Sequence, residues 1–157
     1  MSDTVSVRLP DAIPRTLSDW PNHPVIAELP RAVLVIGSEV HSPHGCALDP
    51  DEACAMGSAF AAAALCAGHR PDIAADGDGE LLVVVSPIST PSWGDPGWAY
   101  FAYGSGYVAA RSSPESTGDS TQILCGTGET MSAEHAWSDG LSLIAAGRYA
   151  IAAEVAA

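Results

Sequence analysis

Asp49–Gly68, DPDEACAMGSAFAAAALCAG, is the stretch on which the reading of the fold turns. Asp49 suits an N-cap, because its carboxylate can accept from the orphan amides of a first helical turn. Pro50 fits the position after it, and Asp51 and Glu52 favour the positive end of the helix dipole. Gly68 stops the helix by admitting a left-handed backbone. Between these signals the residues are apolar all round, so the helix is expected to be buried on most sides. Ala53, Gly57, Ala61 and Ala64 are small enough to let a neighbour approach closely.

Around this helix the apolar runs read as strands. Ala32–Gly37 (AVLVIG) is continuous and β-branched, a pattern for a strand covered on both faces. Leu81–Val85 reads the same way. Trp98–Ala110 reads as a long strand or hairpin, with Gly104 and Gly106 at a bend. Thr121–Cys125 is a further strand, and Ser132–Ala156 is one or two helices with Ser132 as N-cap, interrupted by Gly140 and Gly147. Residues 74–80 (AADGDGE) and 112–120 (SSPESTGDS) are polar loops; the first lacks the later ligands of a calcium loop. The order β-α-β-β-β-α places the chain in the α/β or α+β class. Two segments echo one another: VLVIGSEVHS precedes one Ala-rich helix and TQILCGTGETMS precedes the other.

Residues 1–31 carry Pro10, Pro14, Pro21, Pro24 and Pro30, which disfavour regular helix. They read as an extended arm, with Trp20, Val25 and Ile26 as anchors. Residues 32–157 then form a single domain. A chain of 157 residues buries roughly 70% of its unfolded surface.

Charge excludes several partners. There are 19 acidic residues, six Arg and no Lys, a net charge of −13. No two Arg stand closer than seven residues, so neither nucleic acid nor an anionic membrane finds a basic patch. The longest apolar run, Ala59–Ala67, falls far short of the roughly 20 residues of a membrane span. The N-terminus has no secretory signal pattern. A cytoplasmic protein is expected, with Cys46, Cys54, Cys66 and Cys125 reduced. Cys54 and Cys66 sit about 18 Å apart along one helix, too far to bridge.

Three constellations can carry chemistry. His41, His44 and Cys46 put three zinc-type ligands within six residues, with Cys54 or His135 as a fourth. Cys54 stands in a first helical turn, where the dipole favours a thiolate nucleophile, although Asp49, Asp51 and Glu52 would raise its pKa. Glu129 or Glu134 with His135 would make an acid–base pair. Gly126 and Gly128 form a strand–glycine–helix turn of the kind that holds anions. With no Lys, any chemistry must come from Cys, His or carboxylates.

Several segments resemble, in order, the β-ketoacyl synthases of the thiolase-like family. RAVLVIGSEVHSPHG (31–45) is similar to their opening strand, and ACAMGSAFAAAALCAG (53–68) to the helix bearing the active-site Cys, which falls on Cys54. LLVVVSPIS (81–89) resembles the strand after it, and FAYGSGYVAARS (101–112) a glycine-rich strand. CGTGETMSAEHA (125–136) is similar to the H-G-T-G-T motif, with Cys125 in the place of its His. The resemblance implies a shortened, diverged thiolase-like protein of acyl or polyketide metabolism. Its architecture would be a three-layer sheet with a buried Ala-rich helix, dimeric, with Cys54 near a pocket. If it is an enzyme, it is an acyltransferase-type one with Cys54 as nucleophile, acting on an acyl thioester or an acyl carrier protein, active or degenerate. An acidic carrier would meet a repulsive surface here.

Two other readings stand beside this one. A structural or interaction protein, such as a virion component or accessory subunit, would use the arm and an aromatic patch at Trp93, Trp98, Tyr100 and Tyr103 to form homo- or hetero-oligomers. A small metal-binding protein would use His41, His44 and Cys46.

Overall fold

The structure, a computed structural model, describes residues 4–7, 9–14, 25–42, 47–69, 81–84, 98–103, 106–111, 123–125 and 130–156. In chain order the strands are β1 (Thr4–Val7), β2 (Ile13–Pro14), β3 (Val25–Leu29), β4 (Val33–Ile36), β5 (Glu39–His41) and β6 (Ala47–Leu48). Helix α1 (Pro50–Cys66) follows, then β7 (Leu81–Val84), β8 (Ala99–Tyr103), β9 (Gly106–Ala110), β10 (Ile123–Cys125) and β11 (Thr130–Met131). Helix α2 (Ala133–Ala156) ends the described chain. All pairing is antiparallel: β2-β3-β4-β5-β6 form one sheet, β8-β9-β10-β11 a second, and β1 pairs with β7. The chain is therefore an α+β protein.

The helices pack against each other between the two larger sheets. α2 lies on β3, β4 and β5, and α1 on β8 and β9. The Ala-rich stretch behaves as its composition demands: Met56, Phe60 and every residue from Ala59 to Leu65 are buried. Asp49 caps α1, its Oδ1 accepting from the Glu52 amide at 2.8 Å. Past the last turn the His69 amide donates to the Ala64 carbonyl, and Gly68 takes φ 108°.

Gly140 and Gly147 do not interrupt α2, which runs unbroken through both. A glycine inside a helix costs about 1 kcal/mol relative to alanine. Here that cost is offset by contact. A Cβ on Gly57 would collide with the Gly140 carbonyl oxygen and lie 2.6 Å from Ile144 Cγ1. A Cβ on Gly140 would lie 2.7 Å from the Gly57 carbonyl oxygen and 3.0 Å from the Ala61 nitrogen. Farther along, a Cβ on Gly147 would lie 2.6 Å from both Cys54 Sγ and the Pro50 carbonyl oxygen. As the numbers rise along α1 they fall along α2, so the helices run antiparallel with backbone against backbone.

The arm is not separate from the domain. β3 follows the alternation of a half-buried strand, with Val25, Ala27 and Leu29 inward, and pairs along β4. The boundary expected at residue 31 thus cuts through a sheet; only the extended character of the arm holds in β2 and β3. Ile26 packs on the core beside buried Val25, while Trp20 lies outside the described residues. β4 is also less enclosed than its apolar run predicts. Val33, Val35 and Ile36 are buried and Leu34 is half-buried, because α2 covers one face.

Residues 98–110 form the expected hairpin, β8 against β9. Its aromatics serve the chain's own core: Tyr100, Phe101 and Tyr103 are buried. Trp98 lies under the Arg111 guanidinium at 4.7 Å. With Tyr100 and Tyr103 buried and Trp98 half-buried, these three do not form the exposed patch expected of a docking surface; Trp93 lies outside the described residues. The two echoing segments fold alike. β4 pairs back on β5 ahead of α1, and β10 pairs back on β11 ahead of α2. Among the described residues no helix is long and apolar enough to cross a membrane.

Gly140→Ala should separate the helices and lower stability by about 2–3 kcal/mol, although alanine is the better helix former. Chemical denaturation of the two proteins checks the sign; a more stable variant would mean that the helices do not touch there.

Candidate functional site

Cys54 lies in the first turns of α1, and its thiol is half-buried against α2. Its Sγ sits over Gly147 and donates to the Ile144 carbonyl at 3.7 Å. Burial pushes the thiol pKa above its ordinary 9.0; Arg148 lowers it and Asp51 raises it, and burial prevails. Proximity to the helix N-terminus is thus not enough to make a thiolate here.

His135 is placed elsewhere. It sits in the first turn of α2, where its amide donates to Ser132 Oγ at 3.2 Å, the expected cap. Nine residues separate His135 from Ile144, about 13 Å along the helix. Cys54 and His135 therefore do not form a nucleophile–base pair. Glu134 is exposed beside His135. Glu129, Gly126 and Gly128 lie outside the described residues.

His135 belongs to a group the sequence did not suggest. Asp139, one turn later on α2, is 1% exposed, and its Oδ1 accepts from Arg31 Nε at 3.0 Å. Asp139 Oδ2 lies 3.5 Å from His135 Nε2. Arg31 Nη2 also contacts His135 Nε2. Arginine only donates, so Nε2 is the acceptor in that contact. A buried carboxylate needs such a partner, because an unpaired charge is expensive to desolvate.

The backbone is bent to provide it. Arg31 and Ala32 both adopt the left-handed conformation, at φ 68° and 60°. Each costs on the order of 1 kcal/mol for a residue with a Cβ. The distortion sits in the 3-10 turn Pro30–Ala32 that joins β3 to β4 over α2. No glycine marks this turn, so no sequence signal announces it. Asp139 did leave a trace, as a lone carboxylate in an otherwise apolar helical stretch.

Beside this group the segment Leu9–Ala12 crosses α2 and leaves a groove on either side. One, of about 420 Å³, is lined by Leu9, Pro10, Pro30, Trp137 and Leu141, with Ser138 and Ser142. The other, of about 380 Å³, shares Leu9 and Pro10 and reaches Asp11, Arg148 and Tyr149. Both volumes fall in the range of small-molecule sites.

Of the zinc-type trio, only His41 is described; His44 and Cys46 lie outside the described residues. His41 Nε2 stands 3.5 Å from Glu39 Oε1 on β5, a strand flanked by β4 and β6. Among the described residues no group of three His, Cys, Asp or Glu could hold a metal ion. Cys54, Cys66 and Cys125 are free thiols. No protein-family model, curated protein or solved structure matches the chain.

Burial raises the pKa of both Cys54 and Cys66. Above pH 9 the unfolded chain loses these protons before the folded chain does, so stability should fall as pH rises from there. Melting curves between pH 7 and pH 10 check this, and Cys54→Ala should flatten the alkaline slope. An unchanged slope in that variant would remove the thiol from the account.

Proposed function

We propose that this chain is a shortened thiolase-like, ketosynthase-like protein of acyl metabolism that binds an acyl group without using Cys54 as its nucleophile. One observation carries this reading: Cys54 stands in the first turns of the buried Ala-rich helix, as the ketosynthase resemblance requires, but its thiol is seated against Gly147 and Ile144 of α2. The packing of α1 against α2 between two sheets is offered in support of this reading. The raised thiol pKa opposes attack on a thioester near neutral pH, since the thiolate is the nucleophile.

The net charge of −13 favours a small acyl thioester over an acidic carrier protein as the molecule bound. The free thiols support a reducing, cytoplasmic setting.

The test is incubation of the native protein with octanoyl-N-acetylcysteamine, a neutral acyl thioester, followed by intact-mass spectrometry and equilibrium binding. Reversible binding with no acyl adduct on Cys54 is expected. An adduct on Cys54 would restore the nucleophile, and no binding at all would end the acyl reading.

A further inference from the structure

Nε2 of His135 faces two groups that require opposite protonation states. Arg31 Nη2 contacts it, and a guanidinium only donates, so this contact needs the bare nitrogen. Asp139 Oδ2 stands 3.5 Å away, and an ionised carboxylate only accepts, so a bond there needs a proton on the same nitrogen. One nitrogen cannot serve both. The structure holds the first arrangement, since 3.5 Å exceeds the ordinary length of an N–H···O bond.

The choice of partner bears on a strained segment. Arg31 and Ala32 are both left-handed, at φ 68° and 60°. Two adjacent residues with a Cβ keep that conformation only while surrounding contacts hold them, and such strain gathers where a structure switches between two states. Leu29, which precedes the turn, supplies no side-chain cap. The Arg31 side chain ties the turn to α2 twice: Nε donates to Asp139 Oδ1 at 3.0 Å, and Nη2 meets His135.

His135 can take up a proton with the fold intact, because 46% of its side chain is exposed, whereas Asp139 is 1% exposed. Its other charged surroundings are few. Glu134 beside it on α2 is exposed. In the sheet beneath α2, β4 has no titratable residue. Glu28 and His41 flank Leu34 in register and Glu39 pairs with Ile36, so all three lie on the face opposite buried Ala27, Val35 and Val40. At the near end of α1, Cys66 is half-buried and the His69 ring lies against Trp137. Asp51, Glu52 and Cys54 belong to the far end of α1, beside Gly147, as do Asp11, Arg148 and Tyr149. Among the described residues, Arg31 and Asp139 are thus the charged groups brought to Nε2.

We propose that His135 is a pH-sensitive latch on the turn that joins β3 to β4. With Nε2 bare, it accepts from Arg31 and helps hold the turn left-handed. Uptake of one proton from solvent turns Nε2 into a donor, which moves to Asp139 Oδ2, and the imidazolium repels the guanidinium. Arg31 loses its second tie, and residues 31 and 32 relax to negative φ. The latch is independent of the acyl reading, because Cys54 and its neighbours on α2 take no part in it.

Nuclear magnetic resonance of the isotope-labelled full chain tests this at about pH 8 and about pH 5.5, which span the range where histidine changes charge. A residue with φ near 60° holds its amide and α protons close together and gives a strong intraresidue cross-peak. Arg31 and Ala32 should show strong cross-peaks at the higher pH and lose that strength at the lower. In His135→Gln, whose side-chain oxygen can accept from Arg31 but takes up no proton, they should stay strong at both. Three results would overturn the latch. Strong cross-peaks at both pH values in the native protein would mean that protonation leaves the turn in place. Loss in both proteins would assign the trigger to another group. Weak cross-peaks in the native protein at about pH 8 would remove the strained turn itself.

Discussion

Two glycines pressed backbone to backbone hold this fold together. Gly57 of α1 and Gly140 of α2 each present a Cα to the other's carbonyl oxygen, at a separation that leaves no room for a side chain. Contacts of this kind between Cα–H groups and carbonyls are individually weak, but they recur where helices approach closely. Their main effect is geometric. With the helix axes this near, the flanking alanines of α1 can be fully buried, and the two sheets can close over a helix pair built largely from small residues. A larger residue at either glycine would push the layers apart.

The same closeness decides the fate of Cys54. Gly147 leaves a notch one side chain deep, and the Cys54 sulfur occupies it. A thiol held that way packs like a small apolar group. The desolvation of the sulfur and the charge of Asp51 act in the same direction, and the nearby Arg148 does not outweigh them. Chemistry is therefore better sought on the other stripe of α2. There a buried carboxylate, an imidazole and a strained arginine turn lie near an apolar groove.

Much of the architecture could be read from local patterns. Asp49, Pro50 and Gly68 delimit α1 because capping is a property of a few adjacent residues. The turn-rich glycines near 104–106 mark the β8–β9 hairpin for the same reason. The echo between VLVIGSEVHS and TQILCGTGETMS marks two strand pairs that each lead into a helix. What escaped was long-range. Gly140 and Gly147 look like helix breakers until α1 is set against them. Tyr100 and Tyr103 look like a docking patch until the sheet turns them inward. Arg31 pairs with a residue 108 positions away, through a turn whose non-glycine residues conceal its left-handed backbone. The arm's prolines correctly argued against helix, but they hid the regular alternation of β3 that ties it into the sheet.

The antiparallel contact of Gly57 with Gly140 is the claim on which the position of Cys54, the continuity of α2 and the burial of the alanines all rest. It can be measured without any substitution, by nuclear Overhauser spectroscopy on isotope-labelled native protein. An NOE between the α-protons of Gly57 and Gly140, with further NOEs from Gly147 to the Cys54 β-protons, is the expected result. Well-resolved glycine signals with neither cross-peak would show that the helices do not meet there, and the account of the fold and of Cys54 would be wrong.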